Sequence, residues 1–249
     1  MGRGRQGLTG FAGWFRRREP VPARGPARPR AAVRTDVGRV RSINEDRVLD
    51  RGETGLWAVA DGMGGMRAGD VAAQTVVDAL SGLTAVSPES IRQALSAASG
   101  TIFQSGGGTS GATIVAAHVT GRAATILWAG DSRAYQVRGS KVRQVTRDHS
   151  LVQDMVDRGL IDAAEADGHP RANVITRAVG VAPSLALDSV QLTLEPGDRL
   201  FLCSDGVSRS LDLADLARDE PVDLLADRLL AGALERDGSD NASLVLIAV

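Results

Sequence analysis

Five aspartates of this chain stand where apolar stretches begin or end. The run "LWAVAD" stops at Asp61, "TILWAGD" at Asp131 and "LFLCSD" at Asp205, while "DNASLVLIAV" opens on Asp240 and "NEDRVLD" puts Asp46 at the head of a short strand. One carboxylate after a buried strand is an ordinary turn residue, and Asp61-Gly62 is a common turn pair. Five in one domain are different, because carboxylates gathered without a counter-charge repel one another and resist ionisation. Oxygen-rich clusters with hardly any His or Cys suit hard divalent cations, Mg²⁺ or Mn²⁺ rather than Zn²⁺. The glycines after Asp61 fit this chemistry, since Gly62 without a side chain lets its own carbonyl approach an ion.

The elements that must carry these residues are short. "GLWAVA", "ATIVAAHV", "AATILWAG", "SRAYQVRG", "KVRQVT", "LALDSVQLTL", "DRLFLCS" and "ASLVLIAV" are apolar or alternating, and Gly, Asp or Pro bounds them, which predicts strands. "SRAYQVRGSKVRQVT" reads as a hairpin turning at Gly139-Ser140. Helical spacing covers 68–83, 88–104, 150–158 and 220–235. In the first, Ala72, Val76, Val77 and Leu80 form the apolar stripe; in the second, Ser87 is a natural cap with Pro88 at the first turn. A pair of helices follows the early strands and others return later, so the pattern is mixed α and β with mainly antiparallel pairing, not a βαβ series. Trp57 and Trp128 read as core residues, and Ser110 and Thr113 as strand residues.

The 249 residues carry a net charge of −1 that hides an asymmetry. Residues 1–30 hold eight arginines against Glu19 alone, about +7, which leaves the rest near −8. An acidic body disfavours nucleic acid as a partner. The segment 1–32 is rich in Arg, Gly and Pro and is expected to be a disordered basic tail, with the folded domain over 33–249. Phe11, Trp14 and Phe15 beside Arg16–Arg18 could touch an anionic membrane surface, and the Arg-rich, acid-poor make-up also has the look of a transit peptide; a solvated tail is the simpler reading. The lone cysteine, Cys203, lies in an apolar run and is expected to be a buried small side chain in a reducing compartment, not a nucleophile. With no apolar run near the ~20 residues of a membrane span and no secretory signal, a cytoplasmic location is expected.

The motifs "RTDVGRVRSINEDR", "VADGMGG", "GDSRAY", "TRDHSLV", "NVITRAVG", "LCSDG" and "DN" follow one another in this order over 34–249. Together they resemble the metal-dependent protein phosphatases, the PPM or type 2C serine/threonine family, in its compact bacterial form. The resemblance implies an α+β fold, a four-layer αββα sandwich of two antiparallel sheets flanked by helix pairs, with a two-metal centre of Mn²⁺ or Mg²⁺ at one edge. It implies that Asp61 bridges both ions, Gly62 offers its carbonyl to one, and Asp205 and Asp240 complete the other. Glu45 and Asp46 would act mostly through ion-bound waters, and Arg41 would bind the phosphate, a task suited to a planar guanidinium fork. The implied reaction is direct attack on a phosphoserine or phosphothreonine by a hydroxide shared between the ions, without a phosphoenzyme. Asp131 in "GDSR" resembles the ligand of a third, weaker site. His149 reads as a loop-ordering residue, and Asn173 and Arg177 as residues that fix a flap segment of about 148–180 beside the substrate.

Two places depart from the family pattern. Met63 and Met66 stand where relatives carry histidines, so a side-chain proton donor near Asp61 is not expected. Arg209 stands four residues after Asp205, where the family often has another aspartate, and a cation there implies a weak or absent third ion. The partners implied are a phosphorylated protein and a bacterial Ser/Thr kinase that the chain opposes, with a monomer expected. "LWAGDSR", "NVITRAVG" and the basic residue after "SDG" resemble the stand-alone phosphatases of type VI secretion clusters. Two other readings compete: a catalytically silent phosphoprotein-binding module on the same fold, and a phosphohydrolase of small phosphate esters.

Overall fold

The computed structural model describes residues 1–2, 29–64, 68–166 and 168–249. Most of the basic tail, with its aromatic residues, and Gly65 and Met66 lie outside the described residues. Elements are numbered in chain order. One sheet joins β1 (Arg30–Asp36), β11 (Ala242–Ala248), β10 (Arg199–Cys203), β7 (Arg133–Arg138) and β8 (Lys141–Gln144) in that spatial order. The other runs β2 (Asp46–Arg51), β3 (Leu56–Met63), β5 (Ile114–Thr120), β6 (Ala123–Ala129) and β9 (Asp188–Thr193), with the two-residue β4 (Gly111–Ala112) paired to the end of β3. Every pairing is antiparallel. The expected β7–β8 hairpin is present, with Arg138 opposite Lys141 and Gly139 supplying the left-handed φ of 57° that the turn requires. β1 begins at Arg30, slightly ahead of the boundary expected at 33.

Alternation along the strands sorts the core into three layers. Leu56, Ala58 and Ala60 of β3 pack toward α1 (Ala68–Ser81) and α2 (Pro88–Gly106), on Val76, Leu80, Ile91 and Leu95. Trp57 and Val59 point the other way, into the space between the sheets, where they join Ile126, Leu202, Val245 and Ile247. Phe201 and Leu246 face α7 (Val222–Arg236), whose Leu225 and Leu229 close the third layer. α2 starts where the serine-proline pattern predicts: Ser87 Oγ accepts from Ser90 N–H at 3.1 Å while Ser90 Oγ accepts from Ser87 N–H at 2.9 Å. The first sheet is covered less evenly than a helix pair would do it, by α7 with the one-turn helices α5 (Asp205–Ser208) and α6 (Leu213–Leu216). α3 (Leu151–Asp157) and α4 (Ala163–Ala166) lie in the expected flap.

The inter-sheet layer changes character at one end. Two positions beyond Val59 comes Asp61, two before Val48 comes Asp46, and two before Val245 comes Ser243, so the same face passes from hydrocarbon to oxygen. Thr113 and Ser132 add hydroxyls that hydrogen-bond to each other at 2.7 Å, both fully or nearly buried. Each fully buried aliphatic or aromatic side chain of the layers contributes about 1.5–3 kcal/mol. That surplus is what lets the fold carry a buried polar end.

Candidate metal centre

The polar end opens into a cavity of about 240 Å³ whose lining includes Arg41, Glu45, Asp61, Gly62, Asp131, Asp205 and Asp240. Residues nearly 200 positions apart in the chain thus share one wall. Asp46 lies beneath it, 3% exposed, opposite Asp61 in the β2–β3 register. Its Oδ2 accepts from Ser204 Oγ at 2.8 Å. A larger cavity of about 750 Å³ opens at the opposite end of the first sheet; Arg30 and Arg199 face Asp219, Glu220 and Asp223 there, without a comparable set of buried carboxylates.

Local structure explains each placement. Asp61 is held by its backbone, because its carbonyl accepts from Thr113 N–H at 2.8 Å as β3 runs on to pair with β4. Gly62 must be glycine: a Cβ there would sit 2.2 Å from the Gly69 carbonyl oxygen and 2.8 Å from that of Glu45. Asp205 heads the one-turn helix α5, and Arg209, one turn later, donates to its carboxylate. Asp240 precedes β11 and accepts from Arg41 Nη2 at 2.9 Å. Asn241 ties these parts together. Its Oδ1 accepts from Glu45 N–H at 2.8 Å, and its Nδ2 donates to the carbonyls of Val37 at 2.9 Å and Ile43 at 3.0 Å, so one buried amide pins the loop that carries Arg41 and Glu45.

Burial first, then neighbouring carboxylates, raise the acids of this site. Asp46 is pushed up to about 7, with hydrogen bonds from Ser243 and Ser204 opposing the charges of Asp205 and Asp240. Asp131 is also raised to about 7, by burial and then by Asp205 and Asp148, with Arg209 opposing. Asp61 stands well above the ordinary carboxylate range, from burial and the charges of Asp46, Asp205 and Asp131. Asp205 is raised by burial against the pull of Arg209, with the charge of Asp240 adding to the rise. Asp46 Oδ1 and Asp131 Oδ1 are buried with no hydrogen-bond partner among the described residues. Crowded carboxylates with orphaned oxygens, an all-oxygen donor set and a glycine carbonyl are what a hard divalent cation satisfies. The residues therefore fit the ions that the sequence implies. Among the described residues no three His, Cys, Asp or Glu side chains already form a closed ligand group, and arginines hold Asp205 and Asp240.

The remaining expected residues divide in two. Met63, Arg209 and Asn173 line the cavity, as does Ile175, which nothing in the sequence singled out. His149 does not line it; it orders a loop, stacked on Trp128 with ring centroids 6.1 Å apart. Arg177 holds the end of the flap segment, donating to Asp188 at 2.8 Å. Trp57 is fully buried and Trp128 nearly so, while Ser110 flanks β4 and Thr113 lies between β4 and β5. Asn241 and Ser204, both supporting residues, escaped notice. The signal available for each was only adjacency, in "DN" and "SD".

Comparison with known proteins gives the family and the fold. A family model described as "Protein phosphatase 2C" matches residues 39–244. The serine/threonine phosphatase stp of Listeria welshimeri is 33% identical over 241 residues, which cover 87% of this chain and 94% of that protein. The solved structure titled "PppA, a key regulatory component of T6SS in Pseudomonas aeruginosa" superposes with a TM-score of 0.82 at 37% identity, over 89% of this chain and 98% of the other. The catalytic domain of the phosphatase PstP, solved in complex with two manganese ions, gives a TM-score of 0.79 at 33% identity over 88% of this chain and 97% of that one. The chain belongs to the protein phosphatase 2C family, in its compact bacterial serine/threonine form.

Proposed function

We propose that this chain hydrolyses phosphoserine and phosphothreonine on proteins with two Mn²⁺ or Mg²⁺ ions held in the 240 Å³ cavity. The observation that carries the reading is the meeting of Asp61, Asp131, Asp205 and Asp240 with Arg41 on that one wall. Asp61 would reach both ions and the Gly62 carbonyl one of them, with Asp205 and Asp240 at the other and Glu45 and Asp46 in the surrounding shell. The chemistry such a pair supplies is a water activated near neutral pH and neutralised charge at the phosphoryl group. Arg41, half exposed at the cavity mouth, offers two parallel N–H groups to two phosphate oxygens and steadies the charge they gain. Met63 has no proton to give, so the leaving serine or threonine oxygen takes its proton from water. The Arg209 guanidinium, at Asp205 and near Asp131, disfavours a third cation.

The type VI secretion motifs, and likeness to a protein described as a regulatory component of that system, support a substrate phosphorylated by a partner transmembrane Ser/Thr kinase. No helix among the described residues is long and apolar enough to cross a membrane. A monomer working in the cytoplasm is the corresponding proposal. The test is hydrolysis of a phosphothreonine peptide with Mn²⁺ and with EDTA. Turnover is expected only with the metal, and Asp205→Asn is expected to fold normally with nearly all turnover lost. Activity that survives EDTA overturns the reading, and peptide binding without turnover would favour a silent binding module.

A further inference from the structure

Behind the flap lies a cluster that the proposed chemistry leaves unused. His149 Nδ1 accepts from the Gly130 N–H at 3.1 Å, so the proton of the neutral ring is on Nε2. Nε2 donates to Asp188 Oδ2 at 3.1 Å, and Arg177 Nη1 donates to Asp188 Oδ1 at 2.8 Å. The 3.1 Å approach of Arg177 Nη1 to Nε2 is then a contact of two donors and not a bond. Burial holds His149 below its ordinary range, in keeping with a neutral ring. Burial alone would raise Asp188, but the hydrogen bond from His149 and the Arg177 charge outweigh it.

Two of the three residues stand near the two ends of the flap segment and the third on an edge strand of the sheet. Asp188 opens β9 opposite Trp128 of β6, His149 stands in the loop before α3, and Arg177 closes the flap. The backbone follows the same line: Thr176 N–H donates to the His149 carbonyl and Leu151 N–H to that of Val174, each at 2.8 Å, and Ser150 bridges Ile175. Gly130, which anchors the ring, adjoins Asp131, and Ile175 and Asn173 line the cavity. An ion pair with side chains 36% and 48% exposed contributes little by itself. Here the exposed pair is seated on a buried ring that stacks on Trp128 at an interplanar angle of 11°.

We propose that His149, Asp188 and Arg177 form a latch that holds the flap residues 173–177 against the cavity and so sets the affinity for a protein substrate, leaving the hydrolytic centre itself unaltered. The proposal rests on the phosphatase reading. Asn173 and Ile175 line one side of the cavity that Arg41 and the carboxylates share, and a peptide chain extends further along 173–177 than a small aryl phosphate can. These are positioning residues, and they act through the flap.

The experiment compares wild type, Arg177→Met and Arg177→Lys with Mn²⁺, on a phosphothreonine peptide and on p-nitrophenyl phosphate, alongside amide hydrogen exchange. Arg177→Met is expected to raise the peptide KM about tenfold, the scale of one charge-assisted hydrogen bond, with kcat changed less than about twofold. The constants for p-nitrophenyl phosphate stay as in wild type, Leu151 and Thr176 amides exchange faster while central-strand amides do not, and Arg177→Lys recovers most of the peptide KM. An unchanged peptide KM, or parallel losses on both substrates, overturns the latch. Wild type inert toward both esters rejects the phosphatase reading and the latch with it, while an active wild type with parallel losses in the variant rejects the latch alone.

Discussion

Asp46 and Asp61 are directly opposed residues of two neighbouring antiparallel strands at the polar end of the sandwich, Asp46 buried and Asp61 half-buried on the cavity wall. Like charges in that relation destabilise a sheet, and burial sharpens the penalty. Because the folded protein raises both carboxyls, their contribution is most favourable in acid and is lost as the pH rises through the folded values. Asp61→Asn is therefore expected to raise the Tm of the EDTA-treated protein by a few degrees at about pH 8, with little gain at about pH 5, and to abolish the Tm increase given by Mn²⁺. Thermal scans at the two pH values check this, and a lower Tm at the higher pH would contradict it.

Protons and cations compete for the same oxygens. With Asp46 and Asp131 raised to about 7, the apparent affinity for Mn²⁺ should climb from about pH 6 to about pH 8 and then level off, with protons released on binding. Titration calorimetry in two buffers of different ionisation enthalpy measures that release. An affinity flat across the range would sink the ligand assignment.

Arg41→Lys keeps the charge but loses the planar fork. It should lower kcat/KM for a phosphopeptide by about 10–100-fold and weaken inhibition by inorganic phosphate, with Mn²⁺ affinity changed much less. Steady-state kinetics with phosphate as inhibitor separates the outcomes; equal effects on phosphate and metal would place Arg41 among the supports of Asp240 instead.

Removing the Asn241 amide leaves the Val37 and Ile43 carbonyls and the Glu45 N–H short of partners. Asn241→Ala should cost about 2–4 kcal/mol in urea unfolding and raise the KM for phosphopeptide as the Arg41 loop loosens. A variant as stable as wild type with unaltered KM would show that the loop holds itself.

Much of this protein is local and therefore legible in its sequence. The apolar runs, the Gly139 turn, the Ser87 cap and the helix stripes follow from periods of two and 3.6 and from turn chemistry, and α1, α2, α3 and α7 stand close to where spacing puts them. The aspartates at strand ends are equally visible, because a charged residue after an apolar run needs no neighbour to be noticed. Tertiary structure alone decided that five such ends, from Asp46 to Asp240, arrive at one edge, since that depends on the order in which strands pair across two sheets. It decided too that β3 continues past Asp61 to meet β4, that Asn241 holds the Arg41 loop, and that His149 answers to Asp188 and Arg177. Hydrogen bonds between residues tens to hundreds of positions apart have no period, so no pattern along the chain announces them.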